Sequence, residues 1–345
     1  MLGQKVSYQV DLVTFLATET RAKLAVGCMR IDQVTSLSVT VQGLRGVVHA
    51  VRRTILVANR KGGVGKSSIV AAIAVLVAKA GKRVLVIDAD PQGNCTQRDL
   101  GVRDGDNGKS LAMAIQYGQV LEPVRDVRPG LDVIAGGNLL SLATTIITSS
   151  SDHGIDPVAN LSTSLTSLVD TEGYDLVLID SAPGELQLLD VLLEIATWLI
   201  VPTKEDEASL DGAEKLAERY LRARKLGAIV ELMGMVLFDC DPRATRRNAS
   251  TFQTVHELLE GTGIAPFKST IRHDKATSVD ARRLHLTPAE LATPQRKVEE
   301  VSDEDNDEPK KMWSRNPGPL AADHKQLTRE VIGRLASGER AKEEA

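Results

Sequence analysis

The sequence predicts an α/β fold, a mostly parallel sheet with helices on both faces. Three observations carry this expectation. Short apolar runs alternate with helical stretches from residue 54 to about residue 287, and that alternation implies parallel strands joined by crossover helices. The runs are continuously apolar, as strands buried on both faces are. Aromatic residues make up only 3% of a chain that is 42% hydrophobic, so Val, Leu, Ile and Ala must fill the core.

The elements follow in order. Thr54 to Ala58 is a β-branched strand, and a glycine-rich loop comes after it. Ser67 to Ala80 is rich in Ala, Val and Ile and stops at Gly81, the pattern of a helix with a glycine terminator. Arg83 to Asp88 is a second buried strand. Further strands are expected at 131–135, 175–180, 198–201, 233–238 and 264–271, with helical stretches between most of them. Residues 1–50 are read as an N-terminal extension of unknown role, and 51–287 as the main domain. Residues 288–321 hold Pro288, Pro294, Pro309, Pro317 and Pro319 and an acidic run from Glu299 to Glu308. So little apolar surface cannot offset the entropy of ordering, and this stretch is read as a disordered linker. Residues 322–345 are read as a short helix, with Leu327, Val331, Ile332 and Leu335 on one side, followed by a charged tail.

Composition excludes several classes. Cys28, Cys95 and Cys240 are far apart and form no CxxC pair, which argues against a metal site or disulfide framework. No run reaches the ~18 apolar residues of a membrane span. Asp11 and Glu19 interrupt the N-terminus where a secretion signal would be apolar. The expected location is the cytoplasm. The net charge of -4 means that nucleic-acid binding would need a local basic patch.

The strongest signal is the stretch from Asn59 to Ser68, NRKGGVGKSS, between a strand and a helix. Gly62, Gly63 and Gly65 let the backbone curl around Val64, so that N–H groups point inward at phosphate oxygens. The helix beginning near Ser67 and Ser68 adds its positive N-terminal dipole. Lys66 neutralises the β and γ phosphates of ATP, and Ser67 offers a hydroxyl to Mg²⁺. The common phosphate loop would have glycine at position 60. Arg60 stands there, and Lys61 precedes the double glycine instead.

Two acidic motifs follow. Asp88 and Asp90, in VIDADPQGN, stand at the C-terminal edge of the sheet, where open α/β folds bind ligands. Carboxylates beside Pro91 and Gly93 also serve as turn formers. Leu176 to Asp180 is an apolar strand ending in Asp, a form that can hold Mg²⁺ through water.

These motifs together resemble the ParA/MinD superfamily of phosphate-loop ATPases, whose loop has the deviant form KGGxGK[ST], and within it the ParA-type partition ATPases. The resemblance runs from about residue 52 to 287 and includes VPTKEDEASLDG at 201–212, VLFDCDPR at 236–243 and STIRH at 269–273. It implies that Lys61 reaches across an ATP-dependent homodimer to the partner's nucleotide. It implies that Asp90 orients the attacking water while Asp88 supports the metal shell or the loop. It also implies nonspecific binding to double-stranded DNA on the nucleoid, with a ParB-type centromere-binding partner stimulating hydrolysis. The family usually continues the Asp180 motif with Thr-Pro-Pro, whereas Ser181, Ala182 and Pro183 stand here.

Other trades on this fold fit less well. Residues 96–179 contain no cysteine for a shared cluster of the nitrogenase iron-protein kind, and no tyrosine follows Tyr220 as in the tyrosine-kinase branch. A MinD-like membrane-positioning ATPase ends in a basic amphipathic helix, but the terminal helix here has four aliphatics and no aromatics. A metabolic ligase or synthetase on the same fold remains the alternative from another class. For DNA, residues 215–285 carry 13 Lys/Arg against 8 Asp/Glu. Arg219, Arg222, Arg243, Arg246, Arg247 and Arg272 are the candidate phosphate contacts, with a solvated helix face as the competing explanation.

Overall fold

The computed structural model describes residues 52–143, 145, 147, 155–293 and 312–344. The N-terminal extension and residues 294–311 lie outside the described residues. Eight strands form one sheet: β1 (Thr54–Val57), β2 (Val84–Ala89), β3 (Val124–Arg128), β4 (Leu131–Ile134), β5 (Leu176–Ser181), β6 (Trp198–Thr203), β7 (Glu231–Cys240) and β8 (Ile271–Arg272). Their order is β3-β4-β2-β5-β1-β6-β7-β8. Every neighbouring pair is parallel except β3 with β4. The chain winds outward on one side of β1 and then on the other, so β1 lies at the switch point where a crevice opens beyond the strand ends.

The period-2 alternation of each strand supplies two cores. Ile55, Val57, Val84, Val86 and Leu178 face α1 (Lys66–Lys79). Leu56, Leu85, Ile87 and Ile179 face the other layer, made of α2 (Lys109–Tyr117), α3 (Pro157–Glu172), α4 (Leu186–Ile195), α5 (Glu207–Lys225) and α6 (Thr245–Leu258). Ala71, Ala72, Ala74 and Ala78 let α1 lie close against the sheet.

The structure departs from the sequence reading in four places. Strand β3 was not anticipated, and of the stretch 264–271 only Ile271, with Arg272, is strand. After α7 (Lys275–Leu284), the start of the expected linker is a short helix, α8 (Pro288–Leu291). Thr287 and Glu290 close a reciprocal capping box around it, and Pro288 sits in its first turn, where proline starts helices because its missing N–H has no partner to lose. Where the described chain resumes, the backbone N–H groups of Trp313 and Ser314 each donate to the buried Asp280 carboxylate at 2.7 Å.

The last helix, α9 (Gly318–Glu343), is 26 residues long and begins four residues before the expected start at 322. It buries Leu320, Leu327, Val331 and Leu335 in the α1 face of the sheet, while Ile332 is exposed. Arg272 makes a two-pronged ion pair with Asp323. Glu330 accepts from the backbone N–H groups of Lys268 and Ser269, from the Ser269 hydroxyl and from Arg334. Arg334 also donates to the carbonyls of Met233, Ala265 and Pro266 and lies over the Phe267 ring. The helix therefore belongs to the main body.

Candidate nucleotide-binding site

Strand register gathers the acidic motifs. Asp180 lies opposite Val57 on one side and opposite Asp88 on the other, so β1, β5 and β2 deliver the phosphate loop and both carboxylates to one edge. Gly63 and Gly65 turn the loop with left-handed φ angles of 76° and 85°. A side chain at Gly65 would overlap the Phe238 ring, so only glycine fits there.

Lys66 is buried and its ammonium donates to the Lys61 carbonyl at 3.3 Å. Burial lowers its pKa, and Asp180 and Asp90 oppose that shift. Lys61, Gly62 and Gly63 are exposed, Val64 is buried, and Ser67 and Ser68 are half-buried on the first turn of α1. The loop lines a cleft of about 280 Å³ with Asp90, Gln92, Asn94, Arg98, Asp99, Pro183 and Arg282.

Asp180 is completely buried and neither of its carboxylate oxygens makes a hydrogen bond of full geometry, although the Ser67 side chain and Lys66 stand close enough to act on it. Burial, and then the Asp88 charge, push its pKa well above the usual carboxylate range, while the Ser67 side chain and Lys66 pull the other way. Buried polar atoms are nearly always satisfied, so an orphaned carboxylate beside a phosphate loop fits the outer shell of a hydrated cation.

Of the two roles the resemblance implies for Asp88, metal shell or loop, its contacts are those of the loop. Its oxygens accept from the Asp90 N–H and from the N–H and hydroxyl of Thr96. Burial raises its pKa to about 6 against those hydrogen bonds. Asp88 thus anchors the turn that leads into a π-helical segment, Asn94–Asp99. Asp90 is buried and accepts from the Gln92 N–H at 2.9 Å and the Asn94 amide at 3.2 Å. Each carboxylate oxygen has about two lone-pair sites, so a further donor can be accepted.

The basic set divides. Arg222, Arg243 and Arg246 are exposed. Arg247 pairs with Glu205, and Arg219 joins α5 to α4 through Asp190. Arg272 is committed to Asp323. Guanidiniums already neutralised by carboxylates bring less charge to DNA, so Arg219 and Arg272 are better explained as structural ties. Arg98 and Arg282 line the phosphate cleft, a place that the sequence does not assign to either. Arg282 arrives from α7, far along the chain, with no local motif to signal it.

A strand, phosphate loop and helix at the switch point of a parallel sheet, with a carboxylate at the adjacent strand end, define a P-loop nucleotide-binding protein. A family model described as an AAA domain matches residues 52–227. The chain is 32% identical over 198 residues to the chromosome-partitioning ATPase Soj of Thermus thermophilus, covering 57% of this chain and 73% of that protein. It is 30% identical over 214 residues to the chromosome partitioning protein ParA of Caulobacter vibrioides, covering 60% and 75%. Among solved structures, apo McdA of Cyanothece superposes with a TM-score of 0.63 at 19% identity, over 82% of this chain and all of that one, which is a likeness of fold alone. Cobyrinic acid a,c-diamide synthase of Mycobacterium smegmatis, solved with an ATP analogue and magnesium, superposes at 0.55 with 25% identity over 68% and 93%. The chain belongs to the ParA/MinD-type P-loop ATPases.

Proposed function

We propose that this chain is an ATP-hydrolysing DNA-partition switch. The observation that carries the reading is the division of labour between the loop's two lysines. Lys66 is buried and turned into its own loop, whereas Lys61 is exposed at the rim. An exposed ammonium gains little in water, but it gains much more when a second subunit closes over it and excludes solvent.

In this reading the N–H groups of the loop and Lys66 hold the phosphates of ATP. Ser67, directly, and Asp180, through water, would hold Mg²⁺, which supplies neutralisation of the phosphate oxygens. Asp90 accepts a hydrogen bond from the attacking water and orients it in line. Lys61 of each subunit crosses to the partner's nucleotide. The closed dimer binds double-stranded DNA through backbone phosphates, with Arg222, Arg243 and Arg246 as the available contacts. A ParB-type partner stimulates hydrolysis and resets the switch, and the protein acts on the nucleoid in the cytoplasm. The partition relatives support this cargo. Burial of Leu327, Val331 and Leu335 on α9 argues against membrane anchoring, and no helix among the described residues is long and apolar enough to cross a membrane.

The test is a fluorescence titration of random-sequence duplex DNA with and without ATP, repeated across salt. Binding should require ATP, and log K should fall with log salt by about 0.9 per phosphate contact. Equal weak binding in both nucleotide states would point instead to the metabolic synthetase reading.

A further inference from the structure

Lys61 can serve a partner only if its backbone is held so that the side chain leaves the rim in one direction. Two residues outside the phosphate-loop pattern hold it. Asn59 is 1% exposed, and its side-chain oxygen accepts the Lys61 N–H at 2.8 Å. Its amide nitrogen donates to the carbonyl of Pro202 at 2.8 Å and to that of Ser209 at 3.3 Å. One N–H and two carbonyls leave only one orientation of the amide satisfied. At the other end of the residue, the Lys61 carbonyl accepts from Lys66.

The second residue is Gly212, inside α5, where glycine is unfavourable for a helix. Its φ is not left-handed, so backbone geometry does not demand glycine. Space does. A Cβ at this position would stand 2.5 Å from the Asn59 side-chain oxygen, 3.1 Å from the Lys61 nitrogen and 3.2 Å from the Lys61 Cβ. The platform beneath it is stiff, because Asp206 caps the first turn of α5 through the N–H and hydroxyl of Ser209, the residue whose carbonyl receives Asn59.

We propose that Asn59 and Gly212 are positioning residues for Lys61, fixing its backbone so that its ammonium meets the partner's nucleotide. The inference rests on the crossing-lysine reading above. Neither residue lines the phosphate cleft. Both act through the main chain at residue 61.

The experiment compares Gly212→Ala, Asn59→Ala and Lys61→Ala with the full-length wild type. ADP affinity is measured by calorimetry, dimerisation with a non-hydrolysable ATP analogue by light scattering, turnover by phosphate release, and folding by thermal melting. The expected result is ADP affinity within about two-fold of wild type in all three, with analogue-driven dimerisation weaker by about ten-fold or more and kcat falling in parallel. A purely structural defect would instead lower the melting temperature and ADP affinity together, and that outcome overturns the proposal. It is equally overturned if Lys61→Ala fails to dimerise while Gly212→Ala and Asn59→Ala behave as wild type, which leaves the crossing lysine intact. If Lys61→Ala itself dimerises and turns over normally, the crossing-lysine reading falls and the inference with it. Should Gly212→Ala not fold, Asn59→Ala decides alone.

Discussion

Asp180 and Glu330 are carboxylates packed against the same sheet, one at the end of β5 and one on α9, and their surroundings are opposite. Glu330 accepts from two backbone N–H groups, a hydroxyl and a guanidinium, and its pKa is lowered because those partners outweigh burial. Asp180 is more deeply buried, makes no hydrogen bond of full geometry, and is raised because burial outweighs Ser67 and Lys66. A carboxylate kept buried and unpaired destabilises the fold, so its retention at the phosphate edge marks a place meant for something the protein binds. The α9 region holds the fold together, and the cleft edge gives up stability for a ligand.

Replacing groups on each side should separate stability from activity. The largest effect belongs to Asp90→Ala. Loss of a water-orienting group should lower kcat by about 10²–10⁴, or ~3–5 kcal/mol on the barrier, with ATP binding and melting temperature little changed. Phosphate-release kinetics beside calorimetry checks this, and an unaltered kcat would reduce Asp90 to a turn former. Asp180→Asn should leave the nucleotide-free protein at least as stable as wild type, because it replaces a carboxyl whose charged form burial disfavours, while Mg²⁺-dependent hydrolysis falls. Denaturant melts without nucleotide give the sign, and a destabilised variant would mean that Asp180 is already satisfied. Glu330→Ala should do the reverse, losing about 2 kcal/mol of stability as its donors go unpaired with nucleotide affinity intact.

The same division explains what was legible in the sequence. The phosphate loop was legible because its parts lie within a few residues, and Lys61 to Ser68 need only a strand before and a helix after. The ends of β2 and β5 were legible as continuous apolar runs closed by Asp88 and Asp180. Contacts made across the chain left no local trace. Asn59 meets the α5 turn 150 residues away, and Lys268 meets Glu330 62 residues away. Arg219 and Arg272 read as basic surface because their partners Asp190 and Asp323 lie on other elements. Pro288 and Pro319 read as disorder when both sit in the first turn of helices. Strand β3, with Arg125, Asp126 and Arg128, is a polar antiparallel edge and lacks the apolar run that betrays the inner strands.

The smallest expected effect tests the α9 side through pH. His324 is buried on α9, and burial drives its pKa from the usual 6.5 down to about 4, against the pull of Asp323. Asp323 itself is committed to Arg272, and Asp99, Asp239, Arg272 and Arg282 line the cavity that His324 borders. A histidine with a lowered folded pKa is protonated first in the unfolded chain. Its neutral form therefore contributes fully above the unfolded pKa, and that contribution is lost as pH falls from 6.5 toward 4. Asp88 and Asp99, each raised to about 6 by burial, act with the opposite sign, because the folded state takes up their protons first as pH falls. The wild-type curve alone mixes the two regions. A comparison with His324→Leu separates them, since the carboxylates are common to both proteins. Between pH 7 and about pH 5.5, wild type should lose about 1 kcal/mol relative to the variant, read from denaturant melts at each pH. The packing change from the leucine is the same at both pH values and cancels. A difference that stays constant would mean that His324 titrates normally and that α9 is looser against the sheet than its contacts imply.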